Sequence, residues 1–309
     1  MLKYKADLKS LTYIAITTAL FAYQWHYGFH YASLLSWFVF IIYLHFSVAV
    51  SVMTHNHNHI NMWTNKTLNI LTDWWLTVFY GMLIFVWIPT HNRNHHRYNN
   101  KEGDVTRTYR HTEDNNMVSL IQYPTISGVN QMKEGIIPYM KDLKAKNIKQ
   151  YRENLMQLAV LAIWMVVFFV WNWKKALLFV FIPQQVSQIV VIVFNYVQHV
   201  HADEESDYNH SRNFMWVNFF LLNNGYHTIH HERANLHWSE APEAHKKIAH
   251  LIKPELIEKS FWGYLIKTYI LSAFMDKYKS KSMRQERLAK STNAQPQQMR
   301  QHEHEPATA

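Results

Sequence analysis

Four stretches of this chain are apolar almost without interruption, at residues 11–27, 33–53, 155–171 and 176–197. Crossing the hydrocarbon core of a bilayer takes about 20 mostly apolar residues in a helix, and each stretch approaches or reaches that length. The first two are joined by Tyr27-Gly28-Phe29-His30-Tyr31 and the last two by Asn172-Trp173-Lys174-Lys175. Connections this short join antiparallel neighbours. The pattern predicts an all-α integral membrane protein with four transmembrane helices in two hairpins.

Two weaker apolar segments complicate that pattern. Residues 68–88 contain Trp74, Trp75, Phe79, Phe85 and Trp87. Polar, histidine-bearing clusters stand on both sides of this segment, and they must reach one compartment if they share a site. We therefore expect it to be interfacial or re-entrant, consistent with tryptophan enrichment at headgroup depth. The stretch 262–275 is too short for a span and is also expected at the interface. From about Lys279 the chain turns to Lys, Arg, Gln and Glu with little apolar content. The expected organisation is a membrane domain over 1–278 and a polar, disordered tail over 279–309.

Charge orients the pattern. Lys3, Lys5 and Lys9 precede the first span, and most remaining Lys and Arg fall in 66–152 and from Arg212 onward. Cytoplasmic segments carry that excess, so both termini and the polar cap are expected in the cytoplasm. The expected location is a bacterial inner membrane, without a cleavable signal peptide because no small-residue cleavage site follows the first apolar run. Placed this way, the net charge of +9 reads as topology or as a docking surface for an acidic partner, with no nucleic acid implied. A mean hydropathy of −0.25 merely averages apolar runs with a polar loop and tail. The absence of cysteine excludes disulfides, thiolate nucleophiles, iron–sulfur ligation and cysteine-based zinc sites.

The chemistry lies in histidine clusters at the ends of the apolar stretches. They read His55-Asn-His57-Asn-His59, His91-Asn-Arg-Asn-His95-His96, Asn195-Tyr-Val-Gln-His199 with His201, and His227-Thr-Ile-His230-His231. Helical residues three or four apart share a face. His55 is thus expected to point with His59, His91 with His95, Asn195 with His199, and His227 with both His230 and His231. Nine imidazoles and one amide oxygen are too many for one zinc ion but suit two metals with about five ligands each. Glu102, Asp104, Asp203, Glu204, Glu205 and Glu232 are candidates to orient those rings.

The order HxxxH, HxxxHH, a late NxxxH and HxxHH resembles the membrane fatty-acid desaturase and hydroxylase superfamily. Residues 91–104 and 223–242 are similar to its second and third histidine boxes with their flanks. The resemblance implies an O2-dependent oxidoreductase with two Fe ions, acting on a lipid or fatty-acyl substrate. Carried over residue by residue, the metal ligands would be His55, His59, His91, His95, His96, His199, His227, His230 and His231. Asn195 matches a position that contacts metal in some members. The spacing within the first two boxes departs from that of many desaturases, so no particular substrate is carried over. With no fused haem or iron–sulfur domain, an external donor such as a ferredoxin or cytochrome is implied.

Desaturation is the leading expectation. Hydroxylation, decarboxylation of a fatty acid to a terminal alkene, alkane hydroxylation and carotenoid hydroxylation or ketolation are alternatives. A metal transporter is the alternative from another class, and it would place ligands near mid-membrane on broken helices. His57 and His201 are expected to hydrogen-bond rather than ligate. His26, His30, His111, His210 and His250 are expected at the surface, and His45 within a span has no matching partner. His237 and Trp238 are expected near the last box or simply packed beside it. The His302-Glu303-His304-Glu305 run is expected to be adventitious.

Overall fold

The computed structural model describes the backbone of residues 1–302 and the side chains of residues 1–292. The chain is mostly helical, at 73%. α1 (Leu8–Tyr27) and α2 (Leu34–His59) form the first hairpin, and Ser33 starts α2 by accepting from the Ser36 amide at 3.3 Å. α2 is the central helix, packing on α1, on α3 (Lys66–Tyr80) and on α8 (Ile182–His199).

The segment expected to be interfacial or re-entrant is a bent pair. α3 meets α4 (Ile84–Tyr98) at an angle of 92°. The bend sits at Gly81, whose φ of +73° suits glycine. A side chain there would also strike Gln184, with a Cβ only 2.6 Å from its side chain. The backbone groups freed by the bend find partners from other helices. Gln184 donates to the Val78 carbonyl at 2.7 Å, Gln188 to the Gly81 carbonyl at 3.0 Å, and Gln157 accepts from the Phe85 amide at 3.1 Å. Without them, carbonyls and amides in an apolar setting would stay unsatisfied, which is costly.

Beyond the cap loop come α5 (Met117–Asn130), α6 (Ile137–Lys146) and α7 (Ile148–Ala176). α7 and α8 form one helical run of 52 residues, Ile148–His199, broken by extended backbone at Asn172 (φ −158°, ψ 97°). Gln157 and Gln188 lie about equally far along the chain from Asn172 and both reach the α3–α4 bend. The run therefore folds back on itself as a hairpin. Its turn adjoins the α1–α2 turn, where the Lys175 ammonium donates to the Trp25 carbonyl at 2.5 Å.

By length and apolarity, two helices are able to cross a membrane, or three if the bent pair is one span, against the four expected. α1 is more polar than the others because Lys9, Ser10, Thr12, Thr17, Thr18 and Gln24 interrupt it. The folded-back 52-residue run counts once. The histidine-bearing ends of α2 and α8 lie opposite the two hairpin turns.

The cap over those ends contains α9 (Val217–Phe220), α10 (His227–Glu232), α11 (Ala241–Ile248) and α12 (Phe261–Leu265). A two-residue parallel pair, β1 (Asn213–Phe214) with β2 (Ile257–Glu258), ties the loop before α9 to the segment before α12. Phe214 and Leu256 are fully buried there. Residues 262, 266, 270 and 274 leave an exposed apolar stripe of Trp, Ile, Ile and Phe along the segment expected at the interface.

The segment expected to be disordered opens as α13 (Met283–His302). Its first turns are tied down by ions: Arg284 pairs with Glu113 and Glu204, and Arg287 with Asp203 and Glu204. Met283 also donates its amide to the His201 carbonyl at 3.1 Å. Residues 303–309, with most of the His-Glu-His-Glu run, lie outside the described residues.

Candidate metal centre

The nine box histidines converge into two adjoining groups. One gathers His55, His59, His91, His96 and His230; the other gathers His95, His199, His227 and His231. Within each group one ring nitrogen per residue lies within 4.8 Å of all the others. In the five-membered group the Nε2 atoms of His55 and His230 are 2.9 Å apart, those of His91 and His55 3.0 Å, and those of His96 and His230 3.0 Å. In the four-membered group His227 and His199 stand 2.9 Å apart, and His231 stands 3.2 Å from each. Two nitrogens bound to one ion at about 2.1 Å and at right angles stand about 3.0 Å apart.

That spacing is a test of metal fit. Several imidazoles turned lone pair to lone pair repel one another, and one proton per contact cannot serve three or four nitrogens at once. A cation at the focus satisfies them all. Nε2 of His59 and Nε2 of His95 are buried with no hydrogen-bond partner, which is the expected state of a ligand atom whose partner is an ion. Burial first, then the neighbouring imidazoles, holds His227, His230 and His231 well below the ordinary histidine pKa. They are thus neutral, as ligands must be. The donor set is compatible with metal binding, and imidazole is a donor that iron accepts.

The grouping refines the face assignment made from α-helical spacing. His91 and His95 stack with ring centres 5.3 Å apart, yet their nitrogens divide, His91 converging with His96 at 3.1 Å between Nε2 atoms and His95 joining the other group. The cause is local: residues Ile88–His95 are a π-helical turn, in which positions five apart share a face. His95 is thereby rotated into the other group. Proline adjoins or begins three of the four π turns, at Pro89, Pro138 and Pro183. Proline offers no N–H to the carbonyl a turn earlier, and its ring forces that turn open. In α10 the spacing also divides, His227 going with His231 and His230 going with His55 and His96.

Several rings are oriented from behind. His95 Nδ1 lies 2.7 Å from the Asp104 carboxylate and 3.1 Å from the Thr106 hydroxyl. Asp104 also accepts from the amides of Asn100 and Thr106, at 2.8 and 2.7 Å. Burial alone would raise its pKa, but the adjoining His95 ring and these hydrogen bonds outweigh it and keep the carboxyl below its usual value. His199 Nδ1 faces the His210 carbonyl at 3.2 Å, and His55 Nδ1 faces the Asn224 side-chain oxygen at 3.3 Å. A donor role for Nδ1 fixes the tautomer and leaves Nε2 as the free lone pair.

Of the acids singled out from sequence, Asp104 alone touches a box imidazole among the described residues. Glu232 lies 3.3 Å from His210 Nε2. Glu102 pairs with Arg107, Glu205 with Lys101, and Asp203 and Glu204 with the arginines of α13. His210, expected at the surface, is instead 1% exposed, with its ring centre 5.5 Å from that of His231. No spacing marks it, because the loop after α8 carries it to the centre only through tertiary folding. Trp87, stacked on His55 at 5.2 Å and 11°, was read only as part of an interfacial segment.

The remaining histidines among the described residues fall outside both groups. His57 faces Asp73 at 3.3 Å and accepts from the Met62 amide. His201 bonds the Glu113 carbonyl and Ser280. His237 stacks on Tyr4 and faces Asp7, and His45 packs edge-on against Phe46 and Phe220.

Asn195 lines a largely apolar cavity of about 140 Å³ together with His91, one from the first group, and His95, from the second. Tyr123 gives its one proton to the Thr106 carbonyl at 2.5 Å, so it must accept from Asn195 Nδ2 at 2.8 Å. The amide oxygen of Asn195 therefore points away from Tyr123.

The family model for fatty acid desaturase matches residues 29–262, a span running from the first hairpin turn to the start of α12. The chain belongs to that family. Membership brings with it a lipid substrate, membrane association and oxidoreductase chemistry. Neither the curated proteins nor the solved structures compared contain a match to this desaturase-family chain.

Proposed function

We propose that this desaturase-family protein is a non-haem di-iron oxidoreductase that uses O2 to desaturate a fatty-acyl chain. The observation that carries the reading is the pair of adjoining imidazole groups, each with its Nε2 atoms converging, beside an apolar cavity that both groups border. His55, His59, His91, His96 and His230 would hold one ion. His95, His199, His227 and His231 would hold the other, with the Asn195 oxygen directly or through water. A bound iron pair would supply the oxygen activation that breaking an unactivated C–H bond requires.

In the balanced reaction, two adjacent methylene carbons each lose one hydrogen as a second C–C bond forms between them. Those hydrogens, with two electrons from an external ferredoxin or cytochrome and two protons, reduce O2 to two waters. The chain's own contribution is positional. Met82, Val86, Trp87, Val191 and Ile192 would form apolar cavity walls against an aliphatic chain, and Asp104, Asn224 and the His210 carbonyl hold the rings in place. Which substrate carbon reacts depends on where those walls hold the chain relative to the two groups.

The same reading includes four crossings by α1, α2, α7 and α8, with α3–α4 re-entrant and the termini and histidines on the cytoplasmic side of a bacterial inner membrane. It treats 1–278 as the membrane domain and 279–309 as an appended segment. The excess of Lys and Arg in 66–152 and from Arg212 onward suits an acidic electron donor.

The test is twofold. Detergent-purified protein, reconstituted with ferrous iron, is expected to hold about two irons per chain, as two-metal sites do. Zinc retained in place of iron after reconstitution would overturn the reading. Lipids and headspace volatiles from an expressing host are expected to show new double bonds. Hydroxylated chains or terminal alkenes in their place would reassign the reaction while leaving the centre intact.

A further inference from the structure

Six of the seven glycines in this chain have a reason to be glycine that the folded protein itself supplies. Gly28, Gly81 and Gly103 have φ of +79°, +73° and +98°. A Cβ at Gly225 would sit 1.9 Å from the Phe214 carbonyl oxygen, and one at Gly135 would sit 2.9 Å from Thr90. At Gly263 the Ser260 side chain is 3.3 Å away. Gly128 has no such reason. It lies inside α5 with ordinary helical backbone, and a Cβ there would meet nothing within 4 Å. Glycine weakens a helix relative to alanine, so the position gives up stability for no contact in the protein.

The open space at Gly128 adjoins the cavity between the two histidine groups. Gly128 shares that cavity's wall with Gln131 and Met132, about one turn further along the same helical stretch. Gly135 follows on this stretch and abuts Thr90, which also lines the cavity, so the helix runs close to α4 at one point and stands away from it at another. A close neighbour explains Gly135, whereas at Gly128 the space is empty.

We propose that Gly128 determines which aliphatic chains the site admits, its absent side chain being the room that several substrate carbons occupy. This inference rests on the desaturase reading above. The cavity of about 140 Å³ is close in size to the engineered cavity of about 150 Å³ that takes up benzene. A leucine at 128 would therefore fill much of it. Because the cavity borders His91 and His95, the carbons displaced are those next to the reacting pair or just beyond it. A shorter cavity would exclude long chains or shift the position attacked.

The test uses the full-length protein in an expressing host supplied singly with saturated fatty acids of increasing even chain length. Product is read by gas chromatography, and iron per chain is measured on the purified variants. Gly128→Leu is expected to lower product from the longest accepted chains by roughly 10-fold or more relative to the shortest, since one misplaced methylene is worth at least that much in an apolar pocket. Iron content should match wild type. A wild-type chain-length and positional profile in an iron-loaded Gly128→Leu protein would overturn the proposal. If that variant loses its iron, Gly128→Ala decides: a reduced share of the longest chain supports the proposal, and an unchanged profile overturns it. A wild-type protein that oxidises none of the supplied acids would count against the desaturase reading itself, a result distinct from either outcome with the variants.

Discussion

The two histidine groups differ less in their ligand atoms than in what stands behind them. In the four-membered group His95, His199 and His227 are buried, and a carboxylate backs one ring and a backbone carbonyl another. In the five-membered group four of the five residues are only half-buried. Among the described residues its one polar support is the neutral Asn224 amide, and Trp87 stacks on His55. His55, His59 and His230 also line a second, small cavity on the cap side, beside Leu222, Tyr226 and Trp238. One group is thus fixed by a carboxylate and burial, and the other is built from more imidazoles with looser backing. The larger number of histidines does not make the more firmly backed group.

The largest expected effect comes from breaking either group. His230→Ala and His95→Ala should each reduce turnover to background while the protein remains inserted. Iron should fall from about two to about one per chain, as expected for separate sites in a two-metal centre. Retained turnover in either variant would remove that residue from the ligand set. Loss of both irons from one substitution would show that the groups are one site.

A smaller and asymmetric effect should come from the groups behind the rings. Asp104→Asn should weaken metal binding at the four-membered group by roughly 10–100-fold, the usual cost of losing a partner that orients a histidine ligand. Asn224→Ala should cost less, because a neutral hydrogen bond is weaker than one to a carboxylate. Competition with a graded chelator series measures both. Equal losses would erase the proposed difference between the groups.

His210→Ala should fall below Asp104→Asn in effect, since the carbonyl that faces His199 belongs to the backbone and survives the substitution. The smallest effect on the centre is expected from His57→Gln. His57 is buried beside the first box but turned toward Asp73 and the Met62 amide. Thermal stability should drop by about 0.5–3 kcal/mol, as for most buried substitutions, with no change in iron content. Loss of iron there would place His57 in the centre after all.

Much of this was legible from the order of residues. Apolar runs marked α2, α7 and α8, and the short turn at Asn172 marked the hairpin that a continuous 52-residue helical run conceals. The box spacings marked all nine convergent histidines, because imidazoles at helix ends in repeated i, i+3 and i, i+4 patterns have few other reasons to occur together. Histidine clusters on both sides of residues 68–88 marked the segment that the structure bends by 92°.

What the sequence by itself determined, then, was which imidazoles meet and at which end of the helices. Only the tertiary structure decided how they divide. His91 joins His96 because a π turn beside Pro89 changes the residues per turn, and spacing rules that assume 3.6 residues per turn point to His95. Asp104 was separated from five other nearby acids only by the loop that folds it onto His95, while four of the others went to arginines and lysines and Glu232 went to His210. His210 and Trp87 reached the centre the same way, and tertiary folding alone brought the arginines of α13 onto Glu113, Asp203 and Glu204 of the cap. Ligand identity is a local property of side-chain chemistry and spacing, whereas support and partition depend on contacts between segments far apart in the chain.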